Sequence, residues 1–587
     1  MKRGGDRRGH ASRHLAVTCL AALAASAPQL RAQVPVRIDT AVPIPVRDGV
    51  QLRADIYRPS TDARVPVLVY RTPYSRTESP PDPLVLAAVR RGYAVVLEDV
   101  RGRYASGGTF EPYRQEGRDG YDTIEWAARQ PWSTGAVGTF GLSYPGAVQW
   151  LAAMERPPSL RAMVPAMTFS TPETFWYSGG VWDSSWLDWT WLNIAPDLRV
   201  RLGVPGPQTD EDAARSWDRD GAAARRFRPL LSLPDPQGVA PWYYDWMRHP
   251  PGDAWWDFAR LPDRYDRVSA AVLNLSGWFD EMYGATGAVE NFEGAGDALV
   301  LGPWVHGVGP VQQSKAGERE FGPAAALDYD GTVLDWMDRH LKGVDTAAAG
   351  PAVRVFVMGS NQWRTADRWP FPGTRADTLY LLPAAGRGKA GRLVRRAPAK
   401  ARGETVIRSD PAHPVADPFD GRFGAHDYRA LVPGPSVAVF ETEPLAAPLE
   451  IIGRVAVELA VSASVSDFDL WVQLFDVSPD GTAWSLSTPG TLLQRASYRD
   501  GGPERRLVSP RETVRLRMDR MVTANRFLAG HRLRVVITPA FAPVFSVNPQ
   551  TGAQEFETDS VRAGEIRIGH ALGPSRIVLP VVQEAGN

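Results

Sequence analysis

The chain has 587 residues, more than one ordinary domain holds, and length alone suggests about three or four. It is 44% hydrophobic and 22% charged, a globular rather than a disordered composition. Lys+Arg and Asp+Glu both total 66, so the net charge is zero and nothing in it favours nucleic acid or an anionic membrane surface.

The first segment reads as an export signal. Residues 1–14 are basic, the next sixteen are apolar and small, and Ala32 offers a small residue before a cut, so residues 1–32 are expected to be a cleaved signal peptide. The apolar run is short and contains Pro28, which disfavours a lasting membrane anchor. Arg7-Arg8 hints at twin-arginine export, but the surrounding residues fit that signal poorly. The one cysteine, Cys19, lies inside this segment, so the mature chain is expected to have no disulfide, thiolate metal site or cysteine nucleophile. An exported protein of this kind suits a bacterial periplasm or secretion.

From about Val36 strands and helices alternate. Asp48-Gly49 between two alternating runs is a hairpin signal. "VPVLVYRTPY" and "YAVVLEDVRG" are continuous apolar runs of strand length, as in a parallel sheet buried on both faces. "DGYDTIEWAARQ" reads as a helix capped by Asp119. An α/β domain over 36–168 follows. Residues 169–262 differ in character. They hold half of the 20 tryptophans, among them Trp176, Trp182, Trp186, Trp189 and Trp191, and read as an inserted helical cap. These tryptophans suit core packing, or an apolar substrate cleft lined by Trp176 and Trp182. The α/β pattern returns over 263–347, with "AAVLNLSGWFD", "DALVLGPWVHG" and a closing helix ended by Gly343. From 351 to 587 alternating strands with Pro/Gly/Asp turns suggest an all-β sandwich or jelly roll.

The chemistry-bearing stretch is "VGTFGLSYPGAVQWLAAM". Gly141-Leu-Ser143-Tyr-Pro-Gly146 is a near variant of the G-x-S-x-G nucleophile elbow, where serine occupies a strained strand-to-helix turn. The spacing also fits an ordinary turn, and it gains weight from a strand before and a helix after. Such a serine needs a base, and the base needs an orienting carboxylate, in the order Ser, Asp, His on later strand ends. Only His306, in "LGPWVHG", follows a strand of the returning α/β segment, and Asp280 ends the strand before it. Each alone also reads as a structural histidine or a solvated loop acid. For the oxyanion, the Tyr144 N–H is one donor, and the hydroxyl of Tyr74 in "YRTPYSR" is the other candidate. No His/Asp/Glu cluster has metal-ligand spacing, and no cofactor is implied.

"RDGVQLRADIYRP", "RTPYSR", "DVRGRYASGG", "GLSYPG", "GWFDEMYG", "LGPWVHG", "FDLWVQLFDVSPDG" and "NPQTG" together resemble the cocaine esterase and X-prolyl dipeptidyl-peptidase group of serine hydrolases, the CocE/NonD family. That group also contains α-amino acid ester hydrolases and glutaryl-cephalosporin acylases. The resemblance spans the mature chain. It implies an α/β-hydrolase domain with an inserted helical cap and a C-terminal jelly roll of galactose-binding type. It also implies a nucleophile at Ser143, an acid at Asp280, a base at His306 and an oxyanion hydroxyl at Tyr74. The substrate expected is a small ester, or an amide, of an apolar or aromatic acid; X-prolyl dipeptidyl-peptidase or amino-ester hydrolase activity is the alternative. A carbohydrate- or partner-binding protein with a vestigial site is the rival of another class. Ammonium-binding members carry carboxylates after the acid and in the cap. This chain offers Glu281, with Glu173 as a possible cap partner, so a neutral ester is expected to be cleaved at least as well as its amino analogue. The oligomeric state is left open.

Overall fold

The computed structural model describes residues 35–583, apart from 79–81, 235–237, 282, 346–349, 387, 398–402 and 571–574. The export signal expected over 1–32 lies outside the described residues. No helix among those described is long and apolar enough to cross a membrane.

Ten strands form the principal sheet. They are β1 (Val36–Pro45), β2 (Gln51–Pro59), β3 (Val65–Thr72), β4 (Ala94–Asp99), β5 (Ser133–Leu142), β6 (Leu160–Ala166), β7 (Ala271–Phe279), β8 (Ala298–Val305), β9 (Val353–Val357) and β10 (Gln362–Ala366). Their spatial order is β1-β2-β4-β3-β5-β6-β7-β8-β9-β10. The strands from β4 through β9 run parallel, while β1, β2 and β10 are attached antiparallel at the edges. Helices α1 (Asp82–Arg90), α2 (Glu116–Ala128) and α3 (Tyr144–Ala153) cover its faces. The central strands are buried almost throughout, because helices lie on both sides and leave no solvent face to be polar.

Two sequence expectations change here. Helix α2 begins at Glu116, so Asp119 does not cap it. Asp119 sits a turn inside and takes two hydrogen bonds from Arg101, at 2.8 and 2.7 Å. The α/β sheet also reaches past residue 351. β9 and β10 lie beyond residue 351 yet extend the α/β sheet, with β9 pairing parallel to β8. Their short apolar alternation suits either sheet equally, and only the partner strand decides.

The insertion is mainly helical, as expected, with helices Ser185–Trp189, Ala195–Leu202, Asp210–Arg226 and Pro241–Arg248. It opens with a two-residue hairpin, Tyr177–Ser178 and Val181–Trp182. That hairpin is fastened to the C-terminal domain: Arg495 N donates to Gly179 O at 2.8 Å, Ser184 N to Val544 O at 2.8 Å and Ser546 N to Trp182 O at 3.0 Å. Beneath it Arg495 is fully buried between Asp469 and Glu555. The C-terminal domain is all β, a 12-stranded sheet built around the long pair Leu449–Ala463 and Val514–Phe527.

Candidate active site

Ser143 lies between β5 and α3 with φ 69° and ψ −128°, a left-handed conformation that a non-glycine residue adopts only at a cost. Its N–H is fixed to Ala166 O of the neighbouring strand at 3.0 Å. The flanking glycines are sterically required. Gly141 has φ 143°, and a Cβ there would stand 2.5 Å from Pro145 Cβ; one on Gly146 would stand 2.5 Å from Ala166 O. The turn sets Ser143 at the carboxyl end of the sheet and at the N-terminus of α3, where first-turn N–H groups have no acceptor within the helix. Tyr144 opens that helix. Its hydroxyl donates to buried Glu116 at 2.8 Å and accepts from Tyr113 N at 3.1 Å, which fixes the helix start.

Asp280 and His306 close β7 and β8, neighbours in the sheet. Asp280 Oδ1 and His306 Nδ1 are 2.6 Å apart, and Ser276 Oγ donates to Asp280 Oδ2 at 2.7 Å. The carboxylate is wholly buried, so both oxygens are held by protein partners. His306 and Ser143 line the same cavity, of about 330 Å³. Glu281 adopts φ 38° and brings Oε1 to 3.6 Å from His306 Nε2. Burial opposes charge on the imidazole, but the carboxylates of Glu281 and Asp280 outweigh it and push His306 up to about 9.

A general base must be neutral to take the serine proton, so kcat/KM for a neutral ester should rise as pH climbs through about 9. Glu281→Gln removes the larger of the two raising charges and should move the limb to lower pH. A wild-type limb near 6.5, unmoved by the substitution, would contradict this placement of Glu281.

Tyr74 follows β3. Its N–H donates to Thr72 Oγ1 at 3.1 Å, and Arg76 anchors the loop on Asp99 and Asp55. The Tyr74 hydroxyl accepts from Trp189 Nε1 at 2.8 Å, and Tyr74 lines the same cavity as Ser143. Burial pushes its ionisation well above the ordinary range, so it stays a protonated donor. Ser143, Asp280, His306, Tyr74 and the start of α3 are therefore brought to one place.

A second cavity, of about 240 Å³, opens from Ser143 towards the cap and the β domain. It shares Tyr74, Trp189, Asn193 and Glu281 with the first, and adds Phe175, Asp183, Trp186 and Tyr283. Trp176 and Trp182 line neither, a correction to the sequence expectation. Trp176 is fully buried against Trp186, Trp246 and Trp256, and Trp182 lies beneath the hairpin against Tyr177 and Tyr243. Trp186 and Trp189 reach the cavity instead, being one helical turn further on and three residues apart. Glu173 is also elsewhere, paired with Arg260 at 2.8 Å and accepting from Gly252 N. Asp183 was not anticipated. It is 4% exposed, Oδ1 accepts from Ser185, and burial pushes it up to about 7. No motif marks it, and its sole sequence signal is a polar residue among tryptophans. Among the described residues no cluster of His, Cys, Asp and Glu is arranged to hold a metal ion.

Two family models cover most of the chain: X-Pro dipeptidyl-peptidase (S15 family) over residues 48–308, and the X-Pro dipeptidyl-peptidase C-terminal non-catalytic domain over 346–576. Cocaine esterase of Rhodococcus sp. (strain MB1 Bresler) is 33% identical over 575 residues, which is 92% of this chain and 98% of that protein. A putative serine esterase of Mycobacterium bovis is 31% identical over 92% of this chain and 95% of its own length. In fold, the chain resembles an α-amino acid ester hydrolase at 24% identity, with a TM-score of 0.75 over 96% of this chain and 100% of that one. With full-length similarity on this scale, and a serine, a histidine and an acid gathered at the strand ends, the chain belongs to the cocaine esterase and X-prolyl dipeptidyl-peptidase (CocE/NonD) family of serine hydrolases.

Proposed function

We propose that the protein is an exported esterase that works through a Ser143 acyl-enzyme and takes small esters, or less readily amides, of apolar or aromatic acids. The observation that carries this reading is the Asp280–His306 contact of 2.6 Å in the cavity that holds Ser143 on its strained turn. Ser143 Oγ attacks the carbonyl as His306 Nε2 takes its proton. Asp280 keeps Nδ1 protonated and stabilises the imidazolium. The Tyr74 hydroxyl and the Tyr144 N–H receive the oxyanion. His306 then protonates the leaving oxygen and the alcohol departs. Water, deprotonated by the same base, cleaves the acyl-enzyme and returns the acid. His306 borders only the 330 Å³ cavity, which makes that the leaving-group side and the 240 Å³ cavity the acyl side. The acyl side is walled by Phe175, Trp186 and Tyr283, which suits an aromatic acid. Export rests on the basic, apolar, small-residue plan of residues 1–32, and the C-terminal domain is read as a jelly roll from its strand pattern. A fluorophosphonate probe should label Ser143 stoichiometrically and abolish hydrolysis of an aryl ester panel; a protein that stays unlabelled has a vestigial site.

One observation favours a second reading. Asp183, Asp188, Asp420 and Glu281 all line the acyl cavity, and Asp188 is paired with Arg225, so a protonated α-amino group has acidic partners besides Glu281 there, where the sequence had offered Glu281 with Glu173 as a possible cap partner. On the first reading methyl phenylacetate is cleaved at least as well as methyl phenylglycinate. The comparison is made above and below the amine's pKa, with enzyme protonation judged from the neutral ester. A preference of about a hundredfold for the protonated amino ester, lost in Asp183→Asn, would establish the second.

A further inference from the structure

We infer that Trp189, a cap residue, is a positioning residue for the oxyanion hole, acting through the hydroxyl of Tyr74. This rests on the reading of Tyr74 as an oxyanion donor. An indole N–H only donates, and Trp189 Nε1 lies 2.8 Å from the Tyr74 oxygen, so the phenol must accept there. The phenol has one proton, and with that flank occupied the proton points away from Trp189, into the cavities that Tyr74 and Ser143 both line. Without the indole the hydroxyl is free to rotate, and the donor is no longer aimed before the oxyanion forms. Accepting one hydrogen bond also polarises the phenol as a donor in the next.

The two partners are held in register by more than this contact. Arg103 is fully buried and spans the domains: Nε donates to Pro73 O, next to Tyr74, at 2.8 Å, and the guanidinium donates to Ile194 O at 2.7 Å and Asn193 O at 3.1 Å. Those carbonyls belong to a five-residue π-helical turn, Thr190–Ile194, that begins directly after Trp189. Such turns are rare and tend to occur at functional sites. The indole itself lies nearly parallel to the Tyr144 ring, 6.2 Å away, and edge-on to Trp186 at 5.4 Å. The cap thus supplies both a wall of the cavity and the hydrogen bond that sets the oxyanion donor.

The test is a double-mutant cycle on a small neutral aryl ester. Trp189→Phe should lower kcat by about tenfold, the worth of one ordinary hydrogen bond, with KM within about twofold. In the Tyr74→Phe background the same change should cost less than about twofold, because no phenol remains to be oriented. Replacing Trp189 by benzothienylalanine, which puts sulfur in place of the N–H and keeps the ring, should reproduce the loss while fluorophosphonate still labels Ser143 fully. Losses that multiply in the double variant, a change confined to KM, or wild-type kcat with benzothienylalanine would each overturn the inference. A Tyr74→Phe enzyme with undiminished kcat would refute the oxyanion reading itself, and this inference with it.

Discussion

Ser143→Ala, His306→Ala and Asp280→Asn should each lower kcat by about 10⁴-fold or more, equivalent to about 5.4 kcal/mol of barrier. On the proposed mechanism, removing Ser143 Oγ removes the nucleophile, and removing the imidazole leaves its proton with no acceptor. Asp280→Asn acts less directly. The carboxylate accepts on both oxygens, from His306 Nδ1 and from Ser276 Oγ. An asparagine keeps one carbonyl oxygen and must present its amide to the other partner. If the amide faces His306, the imidazole is driven to the tautomer that cannot accept at Nε2; if it faces Ser276, the negative charge that stabilises the imidazolium is still gone. The three losses should not multiply, because the groups act as one unit. Thermal unfolding of each variant separates lost chemistry from lost folding. Near-normal turnover in His306→Ala would mean that another group is the base.

Tyr74→Phe should cost about 10²–10³-fold in kcat with little change in KM. The ring stays, edge-on to Tyr144 at 6.4 Å, so the cavity keeps its shape. What goes is a donor that meets full negative charge only when the tetrahedral intermediate forms. The Tyr144 N–H remains, which is why the loss is smaller than that of a triad member. A change confined to KM would make Tyr74 a substrate-binding residue instead.

The groups proposed to react were legible in the sequence for a local reason. A strand, a turn with two obligatory glycines and a helix are all encoded within a dozen residues, and that unit alone exposes Ser143 at the sheet end. His306 and Asp280 followed by elimination, since each closes a strand that must lie beside the last. Tyr74 sits in the loop after such a strand. Each inference needed only chain order and the rule that sites lie at the carboxyl ends of parallel strands.

The walls of the site were another matter. Ten tryptophans between residues 170 and 262 marked the cap, but composition does not say which way an indole points. Trp182 is carried inward because its hairpin bonds to the β domain, and Trp176 because three other indoles surround it. Trp186 and Trp189 reach the cavity because the next helix turns that face to Ser143. Asp183 gave no signal beyond being a polar residue among tryptophans, since the cavity it lines is built from segments hundreds of residues apart. The end of the α/β sheet was misjudged on the same grounds: "VRVFV" carries a strand's pattern but no record of its partner. The sequence by itself determined which serine, histidine and carboxylate to look for together, and the order of domains, because local backbone geometry and chain order are written in short stretches. Tertiary structure alone decided the walls of the cavities at Ser143, the cap's hydrogen bond to Tyr74 and the carboxylates set beside His306, because each arises where side chains distant in sequence share a space without bulk water, and distance and burial set their strength.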